Sequence, residues 1–172
     1  MATIITDLKE SFRRGNIYIQ LIYINVGVFV LTTLTEVILQ LFNRSLGGMF
    51  EWLELPASLS RFIVQPWSIL TYMFMHAGVL HILFNMLWLY WFGALFLNFF
   101  SAKHLRGVYI LGGICGGILY MAAYNIFPYF QPMTEYSFML GASASVLAIV
   151  AATAYRERSE EHTSELQSQR DI

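Results

Sequence analysis

The sequence predicts an all-α, polytopic membrane protein, and three observations carry that prediction. Apolar types make up 57% of the 172 residues and charged types only 12%, about half the charge of an ordinary soluble domain. The deficit is concentrated, with long uncharged runs separated by short charged clusters, as in membrane spans rather than one large core. The positive charges also favour alternate connections, as they do where a chain threads a bilayer.

The elements follow in chain order. Residues 1–16 read as a cytoplasmic interfacial helix: Asp7 and Glu10 resemble a capping pair, Leu8 and Phe12 share a face, and Gly15 closes the end. The apolar run after Asn16 exceeds the roughly 7–15 residues of a signal-peptide core, so it is expected to stay as an anchor. Four segments approach the roughly 20 residues a spanning helix needs. They are 18–41, 79–100, 108–126 and the shorter 139–155. The loop 42–78 is rich in aromatics, including Trp52 and Trp67, which favour the bilayer interface, and is expected to be partly helical and to lie on the membrane surface.

Lys9, Arg13 and Arg14 precede the first span, Lys103 and Arg106 follow the second, and Arg156 and Arg158 follow the fourth. The positive-inside rule then places the N-terminus in the cytoplasm and the 42–78 and 127–138 loops outside. The net charge of −1 offers nothing to a polyanion, so nucleic acid is not an expected partner. Cys115, the single cysteine, permits neither an intramolecular disulfide nor a zinc framework, and its apolar surroundings predict a small buried residue. Gly112, Gly113, Gly116 and Gly117 form two overlapping GxxxG pairs, predicting close helix packing. Glu36, near the outer end of the first span, is expected to snorkel to the interface.

Two stretches carry potential chemistry. His76-Ala-Gly-Val-Leu-His81-Ile-Leu-Phe-Asn85 puts His81 and Asn85 four residues apart, on one face of the second span. Gly141-Ala142-Ser143-Ala144-Ser145 opens the fourth. Both spans run from outside to inside, so His81, Asn85 and Ser143 fall in the same outer layer of the membrane despite their separation in sequence. A hydroxyl facing a histidine, an amide and a helix N-terminal N–H has a nucleophile's position beside oxyanion donors. Each piece also has a structural alternative: small residues pack helices, a membrane serine bonds back to its own helix, and His or Asn can join helices by hydrogen bonds.

The HxxxxHxxxN run, the GxSx start of the later helix, the long first outer loop and the N-terminus-in topology together resemble the rhomboid intramembrane serine proteases, over about residues 16–155. The resemblance implies a rhomboid-like bundle of six core helices, about four of them present here in a partial membrane domain over 17–157. It implies hydrolysis of peptide bonds in or near transmembrane segments of protein substrates, at a site in the bilayer, without metal or organic cofactor, and a bacterial inner membrane is the expected location. Ser143 would be the nucleophile, His81 and Asn85 would stabilise the oxyanion with the Ser143 N–H, and His76 would lie on a polar, water-accessible rim.

Four departures bear on activity. Ala144 stands where a glycine usually follows the nucleophile, Ser68 where an arginine often follows Trp67, and Leu147 where an aromatic often packs on the catalytic histidine. The family's catalytic base lies on the sixth core helix, and none of His76, His81, His104 or His162 matches it, so the chain is expected to be inactive. The alternative is a non-catalytic rhomboid-like protein that binds membrane clients. Residues 158–172 break with the preceding composition and resemble a translated sequencing adapter, so they are expected to be an artefact.

Overall fold

The apolar runs become helices close to the limits their composition sets. The computed structural model describes residues 6, 12, 15–44 and 48–170, with the side chains of 49 and 160–170 excepted. The interfacial helix expected over 1–16 therefore lies almost wholly outside the described residues. Helix α1 spans Ile17–Leu41, α4 spans Val79–Phe99 and α5 spans Ala102–Ile126. These three are long and apolar enough to cross a membrane. Their outward faces carry large apolar side chains such as Leu31, Ile38 and Trp91, which water would penalise and lipid does not. The chain is accordingly a multi-pass integral membrane protein.

Two boundaries differ from expectation. Helix α5 begins six residues before the apolar run, at Ala102, and takes in Lys103, His104 and Arg106, with Ser101 Oγ 2.9 Å from His104 Nδ1 beside its first turn. The fourth span, expected from residue 139, instead starts as strand β2, Phe138–Met139, and becomes helix α6 only at Ser143. Only 143–155 of α6 is uncharged, and the helix continues through the polar segment to Arg170. The break in composition near Arg158 is not a break in the backbone.

The loop between α1 and α4 folds as short helices, including α2 (Leu59–Val64) and α3 (Ser68–Thr71), with strand β1 (Leu55–Pro56) between 3-10 turns. Strand β1 pairs antiparallel with β2, Leu55 opposite Met139 and Pro56 opposite Phe138. Beside the ladder Ser58 Oγ donates to Glu135 at 2.8 Å and Arg61 pairs with Glu135 at 3.7 Å. The first outer loop is thus fastened to the segment that leads into α6.

Helix α6 packs between α4 and α5. The glycines of α5 make this possible. A Cβ at Gly116 would stand 2.5 Å from the Ala144 Cβ, and one at Gly113 would stand 2.7 Å from Ser145 Oγ. The GxxxG surface is a packing surface, as its spacing predicts. Tyr72, Leu89, Phe96, Tyr109 and Ile149 fill the core. Asn25 is wholly buried in α1 and donates to the Tyr109 hydroxyl at 3.1 Å, a polar link where no water competes. Cys115 corrects the expectation of a buried thiol: it is exposed on α5. In a membrane protein an apolar residue need not face the protein core, because lipid solvates it equally well.

Candidate active site

Helix α4 supplies two of the three central side chains. His81 lies in its first turn and Asn85 one turn further, so both project on one face. Asn85 is buried, and its Nδ2 donates to the His81 carbonyl at 3.0 Å, which orients the amide and leaves one N–H uncommitted. Helix α6 supplies the third. The Val146 N–H donates to the Ala142 carbonyl at 2.9 Å, so Ser143 is the first residue inside the helix. The N–H groups of a first turn have no intrahelical acceptor and carry the positive end of the helix dipole.

Gly141 brings the two helices into register. Its φ of +119° suits glycine, and its N–H donates to the Tyr72 carbonyl at 2.9 Å. A Cβ there would stand 2.7 Å from His81 Nε2 and 3.9 Å from Asn85 Nδ2. The imidazole therefore rests on the bare backbone two residues before Ser143. Tyr72 is the residue that sequence reasoning missed. It is fully buried, its hydroxyl donates to the Gly113 carbonyl at 2.6 Å, and its own carbonyl holds Gly141. Nothing in the pattern distinguished it from the other aromatics of the outer loop.

His81, Asn85 and Ser143 line one cavity of about 480 Å³, whose remaining wall is apolar and includes Phe84, Trp88, Val146 and Leu147. The predicted convergence of the two spans is present. Ser143 is exposed in this groove, whereas Asn85 is only 7% exposed. An apolar wall around a hydroxyl, an imidazole and an amide suits an apolar extended or helical segment presenting one polar bond.

His76 stands elsewhere than expected. It is 7% exposed rather than on an open rim, with its ring 5.1 Å from that of His81 and edge-on to it. Its cavity is separate, lined also by Glu36 and Glu54. Burial, with the neighbouring His81 adding to it, pushes the His76 imidazole down to about 4. The loop following α1 folds over it, which is why a residue at a helix entrance is covered. Of the remaining histidines, His104 sits in the first turn of α5, and the side chain of His162 lies outside the described ones.

Ala144, where the motif departs from glycine, is accommodated by Gly116 across the α5–α6 interface. The extra methyl of Ala144 on one helix is matched by the absent methyl of Gly116 on the other.

Comparison with known proteins identifies the family. The Rhomboid domain family matches residues 64–168, a stretch running from α2 through α6 and containing every residue of the cavity. RHOMBOID-like protein 7 of Arabidopsis thaliana is 38% identical over 55 residues, which cover 32% of this chain and 18% of that protein. The chain thus matches well under two thirds of this relative's length. With the family match extending over more than half of the chain, and with the helical bundle and its inter-helix cavity in place, the protein belongs to the rhomboid family.

Proposed function

We propose that this chain carries the nucleophile and oxyanion site of an intramembrane serine endopeptidase acting on transmembrane segments of other proteins. The observation that supports it is the meeting of Ser143, His81 and Asn85 in one cavity, with Ser143 at a helix N-terminus. In this reading Ser143 Oγ attacks the scissile carbonyl carbon. The oxyanion that forms is met by the Ser143 N–H, the free N–H of Asn85 and His81, donors fixed before reaction and so costing no reorganisation in it. Collapse of the intermediate expels the amine, and water hydrolyses the acyl-enzyme.

The hydroxyl proton must pass to a base. His81, on Gly141, is assigned to the oxyanion, and the family resemblance places the base on a later core helix, outside these residues. The partners are proposed to be substrates in the bilayer, and the reaction is proposed to need no organic cofactor or metal. The N-terminus is assigned to the cytoplasm and the site to the outer layer of the membrane.

A fluorophosphonate probe tests the reading in a chain extended by the further helices. Labelling that disappears in Ser143→Ala is the expected result. An extended protein that folds and still does not react would instead favour client binding without cleavage.

A further inference from the structure

No hydrogen bond among the described residues holds the His81 imidazole. The ring torsion of a histidine is soft and roughly two-fold, so packing must decide where the ring nitrogens point. Two contacts can do so. One is the bare backbone of Gly141, where a Cβ would stand 2.7 Å from His81 Nε2 and 2.8 Å from Cε1. The other is the His76 ring, 5.1 Å away at an interplanar angle of 64°, the edge-to-face arrangement that aromatic pairs favour.

Both contacts are fixed by one short segment of the outer loop. The 3-10 turn Tyr72–Phe74 leads directly to His76. The Tyr72 carbonyl accepts from the Met75 N–H at 3.1 Å and from the Gly141 N–H at 2.9 Å. Two residues further on, the Phe74 carbonyl lies 3.3 Å from His76 Nδ1. A carbonyl only accepts, so the proton is on Nδ1. Tyr72 and Met73 are fully buried, and the Tyr72 hydroxyl is tied to Gly113 of α5. The turn therefore sets Gly141 and the His76 ring relative to one another, and His81 rests on both.

Burial alone does not account for an imidazole at position 76. Its Nε2 is fully covered and has no partner among the described residues, a cost that an aliphatic side chain of similar size avoids. The covered Nε2 also keeps His76 from meeting a substrate, so any part it takes in a reaction passes through His81. We propose that His76 is a positioning residue: its ring, anchored by Nδ1–H on the Phe74 carbonyl, holds the His81 imidazole against Gly141. The inference rests on the oxyanion role proposed for His81.

The test uses the 172-residue chain in nanodiscs with its histidines labelled at Cε1 and assigned by single substitutions. Relaxation of the His81 ring is expected to give an order parameter of about 0.85, as for rigid backbone. His76→Asn keeps an N–H for the Phe74 carbonyl but removes the ring, and is expected to lower that value below about 0.6. His76→Phe keeps a ring without the donor and is expected to retain most of the order. An unchanged His81 ring in folded His76→Asn, or an equal loss in both variants, overturns the proposal. Should the variants not fold, the unaltered chain decides. A rigid His81 ring with cross-relaxation to the His76 ring protons supports the proposal, and a mobile ring or no cross-relaxation overturns it. In the extended chain the fluorophosphonate rate should follow the ring, falling on the order of 10-fold in His76→Asn and little in His76→Phe. A disordered His81 ring with an undiminished rate overturns the positioning role. An extended chain that is never labelled counts against the proteolytic reading, whereas the order parameters are read without any reaction and test the positioning by itself.

Discussion

Gly141 is the residue on which the proposed site turns. Its positive φ and its contact with the His81 ring leave no room for a methyl group. In Gly141→Ala the backbone strain alone costs about 1–3 kcal/mol, and His81 must leave its seat. The expected outcome is a lowered melting point and loss of fluorophosphonate labelling in an extended, active chain. In the same extended chain Asn85→Ala removes one proposed oxyanion donor and is expected to lower kcat on the order of 100-fold while leaving KM little changed. An effect confined to KM would place Asn85 in substrate binding instead. His76 makes a prediction of different sign. Its folded-state value of about 4 lies below its ordinary 6.5, so between these values the unfolded chain binds the extra proton. Stability is therefore complete above about 6.5 and declines as pH falls toward 4. Melting followed across that window should show a shallower decline in His76→Gln.

At the scale of elements, the α5–α6 interface decides how Ser143 is presented. Gly116 and Ala144 form a complementary pair, so Gly116→Ala is expected to destabilise by about 1–3 kcal/mol through overpacking. Ala144→Gly in that background should recover part of the loss, and a double-mutant cycle would measure the coupling. Additive effects would mean that the two positions do not constrain one another. The β1–β2 ladder and the Arg61–Glu135 pair act on the other end of the same presentation, holding the strand that leads to Gly141 against the outer loop.

At the scale of the whole molecule, the membrane replaces part of the core. Helix α1 buries few of its residues, among them Tyr18, Leu21 and Asn25, and leaves most of its apolar surface outward. The positive-inside arrangement predicts that a cysteine at Ser137 reacts with an impermeant maleimide from outside the cell, whereas one at Ser101 does not. Both are made in a Cys115→Ala background, since the native thiol is exposed on α5. The reverse pattern would invert the topology and put the Ser143 cavity in the inner layer.

Hydrophobic runs of spanning length and the four-residue spacing of small and polar residues were enough to obtain the helices α1, α4 and α5, the packing role of Gly112–Gly117, and the convergence of His81, Asn85 and Ser143. These are local properties: a helix fixes which residues share a face, and the bilayer fixes how deep each lies. Three things came only from the folded chain. The strand at Phe138–Met139 displaced the start of α6 to Ser143, because its partner is Leu55–Pro56, far away in sequence. His76 was covered, and set edge-on to His81, by a loop whose path no periodicity describes. Tyr72 acquired its place through hydrogen bonds to Gly113 and Gly141, both distant in the chain. Periodicity reports each element's own faces, whereas these features depend on which faces meet.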